Sequence, residues 1–379
     1  MTAALATAVA ALGAAFGVAA AHAAAPPIAF VTAATPLSGG GGWLVWSAQT
    51  RGGWALMAYH DGRVAQLPVA LREQPFDAGV GSDAGGAPVV TFSRCRRVPS
   101  VRTVGEQGGP GGALVEPQTG IGCRVRLLEL RTGRERALPI PAPRGVSDTT
   151  PSMWRGAVTF ARHDPAHGDV WQVLTWSAGR PRRLMRLPHG RIPSCPEDPH
   201  GCTRPAQGMV AALDRDGAIV TFLWVVRSQG VIGEGAWEVR VDRTDGSAAA
   251  LAGGGSGHEA CPAPMGGPHE LEYVWPEPPI AVGPTALFGE LYAFSCFQGF
   301  AAVLGTHTAA RGHAGLGRLE AVALAVARDH GRLYGLVPSS PVAAGGDSPG
   351  CEPSAPCAIE QIEMPPIRRE ARAPFVPFQ

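Results

Sequence analysis

The sequence predicts an all-β fold, and three features support this prediction. Gly and Pro are abundant, at 51 and 36 of 379 residues, which favours many turns over long helices. Short apolar runs of strand length recur, separated by turn dipeptides such as Asp61-Gly62 and Asp216-Gly217. Similar units follow one another with a period of roughly forty to seventy residues, as in repeat architectures. A chain of this length exceeds the range of one ordinary core, so either two domains or a modular repeat fold is expected.

The clearest unit is Gly79–Pro139. It opens with GVGSDAGGAPVVTFSRC, passes through a Gly-rich loop, and resumes with GCRVRLLELRTGRERALP. This pattern predicts three short strands and a turn at Thr132-Gly133. The rest of the chain consists of looser copies of this unit.

The other units follow in order along the chain. The first contains WLVWSAQT and WALMAYH, which are apolar at consecutive positions and therefore indicate a sheet packed between two others. In the last unit, the Ala- and Leu-rich composition of Leu319–Asp329 is also compatible with a short helix, but the spacing of this run favours a strand. Besides Gly79–Pro139, the units begin at Ile28, Ser147, Met209, Pro279 and Leu319.

Four-stranded sheets that stack face to face around an axis bury both faces of each strand. The repeat therefore predicts a single β-propeller over residues 24–379, built from four-stranded antiparallel blades. We count six blades, with seven as the alternative. A pair of sheets packed as a β-sandwich is the competing architecture.

Residues 1–23 predict a signal peptide. The segment is an Ala-rich apolar run with small residues at Ala21 and Ala23, which form an A-x-A cleavage site. It has no Arg or Lys before Arg51, so the positive region of a signal peptide is missing and an N-terminal membrane anchor is the alternative. We expect cleavage, no stable membrane insertion afterwards, and a secreted protein, either extracellular or periplasmic.

The eight cysteines agree with export, because an even number in an oxidising compartment predicts disulfides. Sequence alone leaves many connectivities open. Neighbours along the chain are the expected partners, because each bridge then closes one loop. The expected pairs are Cys95–Cys123, Cys195–Cys202, Cys261–Cys296 and Cys351–Cys357.

Three segments carry a resemblance to a known repeat: GGWLVWSAQTRGGWALMAYHDGRVAQLP, GAPVVTFSRC…GCRVRLLELRTGRERALP and GAVTFARHDPAHGDVWQVLTWSAGRPRRLMRLP. They resemble the TolB-like, WD40-like propeller repeat, in which a strand ends near Ser or Thr and a basic residue precedes Leu after a Gly turn. The usual Ser-Pro-Asp-Gly start is only approximated, by Asp83–Gly86 and Asp214–Gly217. The resemblance implies the fold and an exported location, and little about activity.

One long loop holds the candidate ligand-binding residues. Clustered imidazoles and carboxylates can perform acid–base chemistry or bind a ligand, and an aromatic side chain offers a stacking surface. A solvated loop is the ordinary explanation of the same residues. The candidates are His258, Glu259, His269, Glu270 and Trp275.

Other motifs do not support a reaction. Gly346–Gly350 matches G-x-S-x-G but lacks the following helix of a nucleophile elbow. The loop between His189 and Cys202 has the residue types of a zinc site, yet in an exported chain a disulfide explains its cysteines better. A net charge of +1 argues against nucleic-acid binding, and the absence of Lys excludes Schiff-base chemistry. We expect no metal and no cofactor.

Together these observations predict a monomeric, exported binding or scaffold module for a protein or other envelope or extracellular partner, without a catalytic motif. The alternative is a propeller hydrolase or lyase that uses loop His and Glu residues at the channel mouth. A purely structural envelope protein is the third possibility. Because fold alone does not give function, the sequence leaves the partner unnamed.

Overall fold

The structure is a computed structural model in which part of the chain is described. For most of the stretch from residue 223 to 318, the description covers the backbone only. The described residues are 26–33, 35–96, 120–167, 170–177, 179–187, 206–217, 219–228, 235–243, 249–257, 271–276, 280–282, 285–294, 298–308, 313–318, 323, 325–339, 351 and 353–363.

Strands account for nearly all regular structure in these residues. The described part contains no α-helix, and one short 3-10 turn lies at Pro165–His167. The strands are β1 (Ala29–Val31), β2 (Leu37–Gly40), β3 (Trp43–Thr50), β4 (Gly53–His60), β5 (Arg63–Gln66), β6 (Gly79–Ser82), β7 (Pro88–Arg94), β8 (Arg124–Glu129), β9 (Arg134–Ala137), β10 (Ser147–Trp154), β11 (Ala157–Asp164), β12 (Val170–Ser177), β13 (Arg180–Leu187), β14 (Ala206–Asp216), β15 (Ile219–Ser228), β16 (Gly235–Arg243), β17 (Ala249–Gly257), β18 (Leu271–Pro276), β19 (Ile280–Val282), β20 (Thr285–Phe294), β21 (Gln298–Thr308), β22 (His313–Arg318), β23 (Val326–Asp329), β24 (Arg332–Pro338) and β25 (Cys357–Ile362).

Within the described residues these strands form six antiparallel sheets. Sheets one to four are the successive meanders β2–β5, β6–β9, β10–β13 and β14–β17. The fifth contains β18, β20, β21 and β22, with β19 as a second short strand paired to β20. The sixth has the order β1-β25-β24-β23. The predicted unit Gly79–Pro139 is the second sheet, but it has four strands where three were predicted. Of the expected strand in Leu319–Asp329, the last four residues form β23, and most of the rest lies outside the described residues.

The first strand of each meander faces the axis of a ring. Strand β2 lies against β6 on one side and β23 on the other, and β10 lies between β6 and β14. Strand β19 contacts both β14 and β23, which closes the circle through the fifth sheet. The architecture is therefore an all-β propeller with four-stranded blades, as predicted, and the alternative of a two-sheet sandwich is wrong.

The ring is closed by strands from opposite ends of the described chain. Strand β1 forms the outer edge of the sixth sheet, where Ala29 is opposite Ile359 and Val31 is opposite Cys357. The Cys351–Cys357 disulfide fixes the start of β25 to the preceding segment. Closure by the N-terminal strand explains why the predicted first unit begins with a strand that belongs to a distant sheet.

Both faces of the central strands are buried between neighbouring sheets. On β3, Leu44 and Trp46 pack against the sixth sheet, whereas Val45 packs against the second. On β7, Phe92 faces the first sheet and Val89 faces the third. Strands that are apolar on both sides are thus explained by stacking of the sheets, because successive side chains point to opposite faces.

Glycines permit the close approach of the inner strands. A Cβ at Gly79 would lie 2.6 Å from the carbonyl oxygen of Pro151, and one at Gly81 would overlap the carbonyl oxygen of Met153. In the first sheet, a Cβ at Gly39 would lie 2.8 Å from the carbonyl oxygen of Arg328. The small residues in LSGG and GVGS are therefore required by contacts with the next sheet.

Candidate functional site

A cavity of about 300 Å³ opens on one end of the ring, where three sheets meet. We call this end the turn face, because it carries the tight turns Gly41-Gly42, Asp61-Gly62, Asp83–Gly86, Arg131–Gly133 and Arg155-Gly156. The opposite end, here the connection face, carries the links from one sheet to the next. The cavity is lined by Gly41, Trp43, His60, Gly81, Ser82, Gly86, Pro88, Arg131 and Trp154.

Three two-residue turns place the main lining side chains. In Gly41-Gly42, Asp61-Gly62 and Arg155-Gly156 both residues have positive φ, which is the type I′ conformation that suits the twist of a hairpin. Trp43 follows the first turn directly, and His60 and Trp154 directly precede the other two. Because each side chain sits on the last paired position beside a turn, all three lie at the mouth of the ring.

Trp43 and His60 form one wall of the cavity. Their rings are stacked, with centroids 4.0 Å apart and planes inclined by 8°. The Nδ1 atom of His60 lies 2.8 Å from the carbonyl oxygen of Gly42, and its Nε2 lies 3.2 Å from a carboxylate oxygen of Asp61. Gly42 has a φ of 85°, a conformation that favours glycine at this position of the turn.

The facing wall consists of Pro88 and Trp154 with Ser82 between the two sheets. The Oγ of Ser82 accepts a hydrogen bond from the Arg155 amide at 3.1 Å, and its carbonyl accepts one from the Gly156 amide at 3.0 Å. The Arg155 guanidinium lies over the Trp154 ring, 5.7 Å from its centroid. These contacts tie the turn of the third sheet to the end of β6.

Two cations at this cavity have no carboxylate partner. Arg131 lines the cavity from the β8–β9 turn and is exposed, and Arg155 stands beside Trp154. No salt bridge joins either guanidinium to an acid among the described residues. The nearby Glu129 instead accepts a hydrogen bond from Thr132 and lies 3.9 Å from Arg136. Arg131 and Arg155 therefore bring positive charge to the cavity, and the exposed carboxylate of Asp61, beside His60, lies at the same mouth.

Toward the connection face, two buried carboxylates have structural partners. Asp77 accepts hydrogen bonds from Arg72 and from the amides of Ser93 and Thr150, at 3.2, 2.9 and 2.8 Å. Burial lowers the pKa of the Arg72 guanidinium, and the charge of Asp77 opposes this shift. Because Thr150 belongs to the next sheet, Asp77 links two blades.

Asp148 forms the second buried pair. Its side chain is fully buried, and Arg162 donates to both carboxylate oxygens, at 2.7 and 2.9 Å. Burial raises the pKa of Asp148, while the hydrogen bonds and charge of Arg162 act in the opposite direction. A paired carboxylate without solvent contact stabilises the sheet edge and is not placed for proton transfer to a ligand.

Arg215 performs a similar task between the third and fourth sheets. Its guanidinium donates to the hydroxyls of Thr159 and Thr175, both at 3.2 Å, and to the carbonyls of Ala157 and Gly217. Burial lowers the pKa of this group. The contact explains why Arg215 points into the stack and not toward solvent.

The predicted ligand-binding residues fall almost entirely outside the described part of the chain. His258, Glu259, His269 and Glu270 lie outside the described residues, and Trp275 lies in β18, of which only the backbone is described. Strand β18 is on the inner edge of the fifth sheet. The loop therefore remains a prediction.

Two of the four expected disulfides are confirmed. Cys95–Cys123 joins the end of β7 to the start of β8, and Cys351–Cys357 adjoins the closing strand. Ser147 supports the base of the first loop, since its Oγ donates to the Gly120 carbonyl at 2.7 Å and accepts from the Gly122 amide at 2.9 Å. The remaining cysteines lie outside the described residues: Cys195, Cys202, Cys261 and Cys296.

The nucleophile-elbow match and the candidate zinc region are not tested by the structure. The G-x-S-x-G match at 346–350 and the region from His189 to Cys202 lie outside the described residues. Within the described residues, no group of three or more His, Cys, Asp or Glu side chains is arranged to hold a metal ion. No helix in that same part of the chain is long and apolar enough to cross a membrane.

Sequence reasoning missed the turn-face cavity. Its residues come from three units of the repeat, and no linear motif joins Trp43, His60, Arg131 and Trp154. One local feature of the sequence could have indicated these residues, because each aromatic or imidazole side chain lies directly beside an x-Gly turn. Which turns meet depends on the stacking of the sheets.

Comparison with known proteins gives likeness of fold only. No family model matches the chain, and no curated protein sequence matches it. Among solved structures, the chain is similar to an ulvan lyase of polysaccharide lyase family PL25, with 9% identity over 87% of this chain and 83% of the lyase, at a TM-score of 0.45. It is also similar to a chain of a nidogen/laminin complex, with 10% identity over 74% and 77% of the two chains, at a TM-score of 0.36.

A third likeness is to a puromycin-hydrolysing peptidase from Mycobacterium tuberculosis, with 13% identity and a TM-score of 0.41. This match covers 84% of the present chain and 51% of the peptidase, so the chain spans about half the length of that protein. At these identities the similarities concern the propeller architecture and give no activity. The function must therefore be argued from the site itself.

Proposed function

We propose that the protein is an exported binding or scaffold module that receives an envelope or extracellular partner on its turn face. The observation that supports this most is the cavity of about 300 Å³, whose size is at the lower end of ligand pockets. Its lining combines flat apolar walls with a few polar groups, which is the composition of a recognition site.

The same lining does not assemble a reaction. Ser82 supplies the only hydroxyl among the lining residues and His60 the only imidazole, and no hydrogen bond joins them. Nucleophilic catalysis needs a base within hydrogen-bond distance of the nucleophile. No carboxylate lines the cavity. Binding therefore agrees with this geometry better than hydrolysis does.

Export remains part of the proposal. The two disulfides of the described chain agree with an oxidising compartment, where such bonds persist. We propose that residues 1–23 are a cleaved signal peptide and that residues 24–379 are the mature domain.

Site-specific photo-crosslinking tests where a partner binds. Arg63 and Arg144 are both exposed arginines, the first on the turn face beside His60 and the second in the link between β9 and β10. Benzoylphenylalanine at position 63 is expected to yield one reproducible adduct in the native envelope or culture fluid, whereas position 144 yields none.

Adducts from position 144 alone, or from neither position, would overturn the proposal. Turnover of a glycoside, lactone or ester substrate that is abolished by His258→Ala would also overturn it, in favour of the hydrolase or lyase alternative.

A further inference from the structure

The cavity is lined by two flat indole surfaces and by one proline ring. Trp43 and Trp154 are half-buried, so part of each indole is exposed at the mouth, and Pro88 also lines the cavity. Trp43 is held by its stack with His60, and Trp154 adjoins the fixed turn Arg155-Gly156. Large amphipathic rings that are already fixed lose little entropy on binding.

Backbone groups at this mouth are already occupied. The Gly42 amide donates to Asp329 at 2.9 Å, the Gly86 amide to the Asp83 carbonyl at 3.1 Å, and the Gly156 amide to the Ser82 carbonyl at 3.0 Å. An added peptide strand needs unpaired edge groups, and a phosphate nest needs free turn amides. These three amides are therefore not available to a ligand.

Two guanidinium groups and one hydroxyl group at the cavity are available to a ligand. The guanidinium groups of Arg131 and Arg155 have no carboxylate partner among the described residues. Guanidinium groups pair with carboxylates through two parallel hydrogen bonds. The Ser82 hydroxyl accepts from the Arg155 amide, so its own proton is free for donation to a ligand oxygen.

From these features we infer that the turn-face cavity binds one acidic sugar unit of the uronate type within a longer saccharide. This inference rests on the proposed binding function and names its ligand class. The apolar face of a pyranose ring packs on an indole, the ring carboxylate pairs with Arg131, and hydroxyls reach Ser82. A volume of about 300 Å³ suits one such unit and leaves the rest of the saccharide on the surface.

Titration calorimetry with the disulfide-intact full chain tests the inference. The probes are tri-galacturonic acid, its methyl ester, and neutral maltotriose. We expect the acid to bind at least tenfold more tightly than the ester or the neutral sugar. Arg131→Gln should remove most of this preference, since hydrogen bonds to charged groups are the stronger class.

Two further variants keep the result interpretable. Arg134→Gln changes another exposed arginine of the same hairpin that does not line the cavity, so it should leave binding unchanged. Trp154→Phe keeps an aromatic ring in the fold and should weaken the acid and the ester by similar factors. Circular dichroism must show unchanged folding for each variant.

No binding of tri-galacturonic acid to the wild-type chain would overturn the inference. Equal loss with Arg131→Gln and Arg134→Gln would also do so, as would tighter binding of penta-glutamate than of the uronate, which would indicate an acidic peptide. In each case an adduct at position 63 with a protein partner would leave the binding proposal intact. Absence of both saccharide binding and adducts would overturn both.

Discussion

The Asp77 side chain gives the sharpest test of what holds the blades together. Its Oδ1 accepts from Arg72 and from the Ser93 amide, and its Oδ2 accepts from the Thr150 amide of the next sheet. Both members of the ion pair are buried, with side chains 7% and 4% exposed. Asp77→Asn removes the charge and replaces one acceptor oxygen by a donor group.

The magnitude follows from these contacts. Breaking a buried ion pair by changing one partner costs about 3–5 kcal/mol, because the other charge stays buried. At least one amide also loses its acceptor, which adds about 1–3 kcal/mol. We therefore expect Asp77→Asn to lower the free energy of unfolding by at least about 4 kcal/mol, a large part of a typical total of about 5–15 kcal/mol.

Urea denaturation followed by circular dichroism measures this loss, with matched variants. In the double variant with Arg72→Gln, the loss should be smaller than the sum of the single losses by about 2 kcal/mol, since both charges of the buried pair are removed together. Asp83→Asn is the control, because Asp83 also accepts from two amides, those of Gly85 and Ala87, but in a partly exposed turn. That control should lose no more than about 1 kcal/mol. A loss below about 1 kcal/mol for Asp77→Asn, or strict additivity with Arg72→Gln, would refute the reasoning.

Three other predictions address the close contacts, the disulfide and the pH dependence. Gly81→Ala should destabilise the chain by about 1–3 kcal/mol or more, because its Cβ would overlap the next sheet, whereas Gly85→Ala should be nearly neutral; equal urea midpoints would contradict this. Replacing Cys95 and Cys123 together by Ser should cost about 3.5 kcal/mol, the chain-entropy value for a separation of 28 residues, and an unchanged thermal midpoint would count against it. Burial opposes ionisation of Glu135, but hydrogen bonds and charge from two arginines hold its pKa below the usual 4.5. The contribution of Glu135 to stability is therefore present above pH about 4.5 and is lost as the pH falls through the lowered pKa. The difference in free energy of unfolding between the wild type and Glu135→Gln should accordingly become smaller in acid. A difference that grows in acid would contradict this prediction.

Much of the fold follows from local sequence patterns. Apolar strands of six to eleven residues between x-Gly turns are recognisable because side chains alternate and because glycine alone adopts positive φ without strain. The neighbouring pairs Cys95–Cys123 and Cys351–Cys357 were also predictable, since each closes one loop between or beside strands. A strand in Leu319–Asp329 was predicted against the helical composition of this run, because its spacing agreed with the other units, and the last four residues form β23.

The closure of the ring was not predictable from local pattern. Strand β1 has three residues, and its partner β25 lies more than 300 residues away, so no periodicity links them. Hydrogen bonds along an open sheet edge determine this pairing, and they depend on where the last sheet ends. The contact between Asp77 and Thr150 was not predictable from local pattern either, because the two residues lie 73 positions apart in different units.

By itself, then, the sequence determined that this chain is a repeating all-β structure with disulfides, because those properties depend on alternation, turn chemistry and cysteine spacing. The tertiary structure decided which turns meet, and hence that Trp43, His60, Arg131 and Trp154 share one cavity. The physical reason is that each turn is locally specified, whereas their juxtaposition arises from the stacking of separate sheets, which no single stretch of sequence encodes.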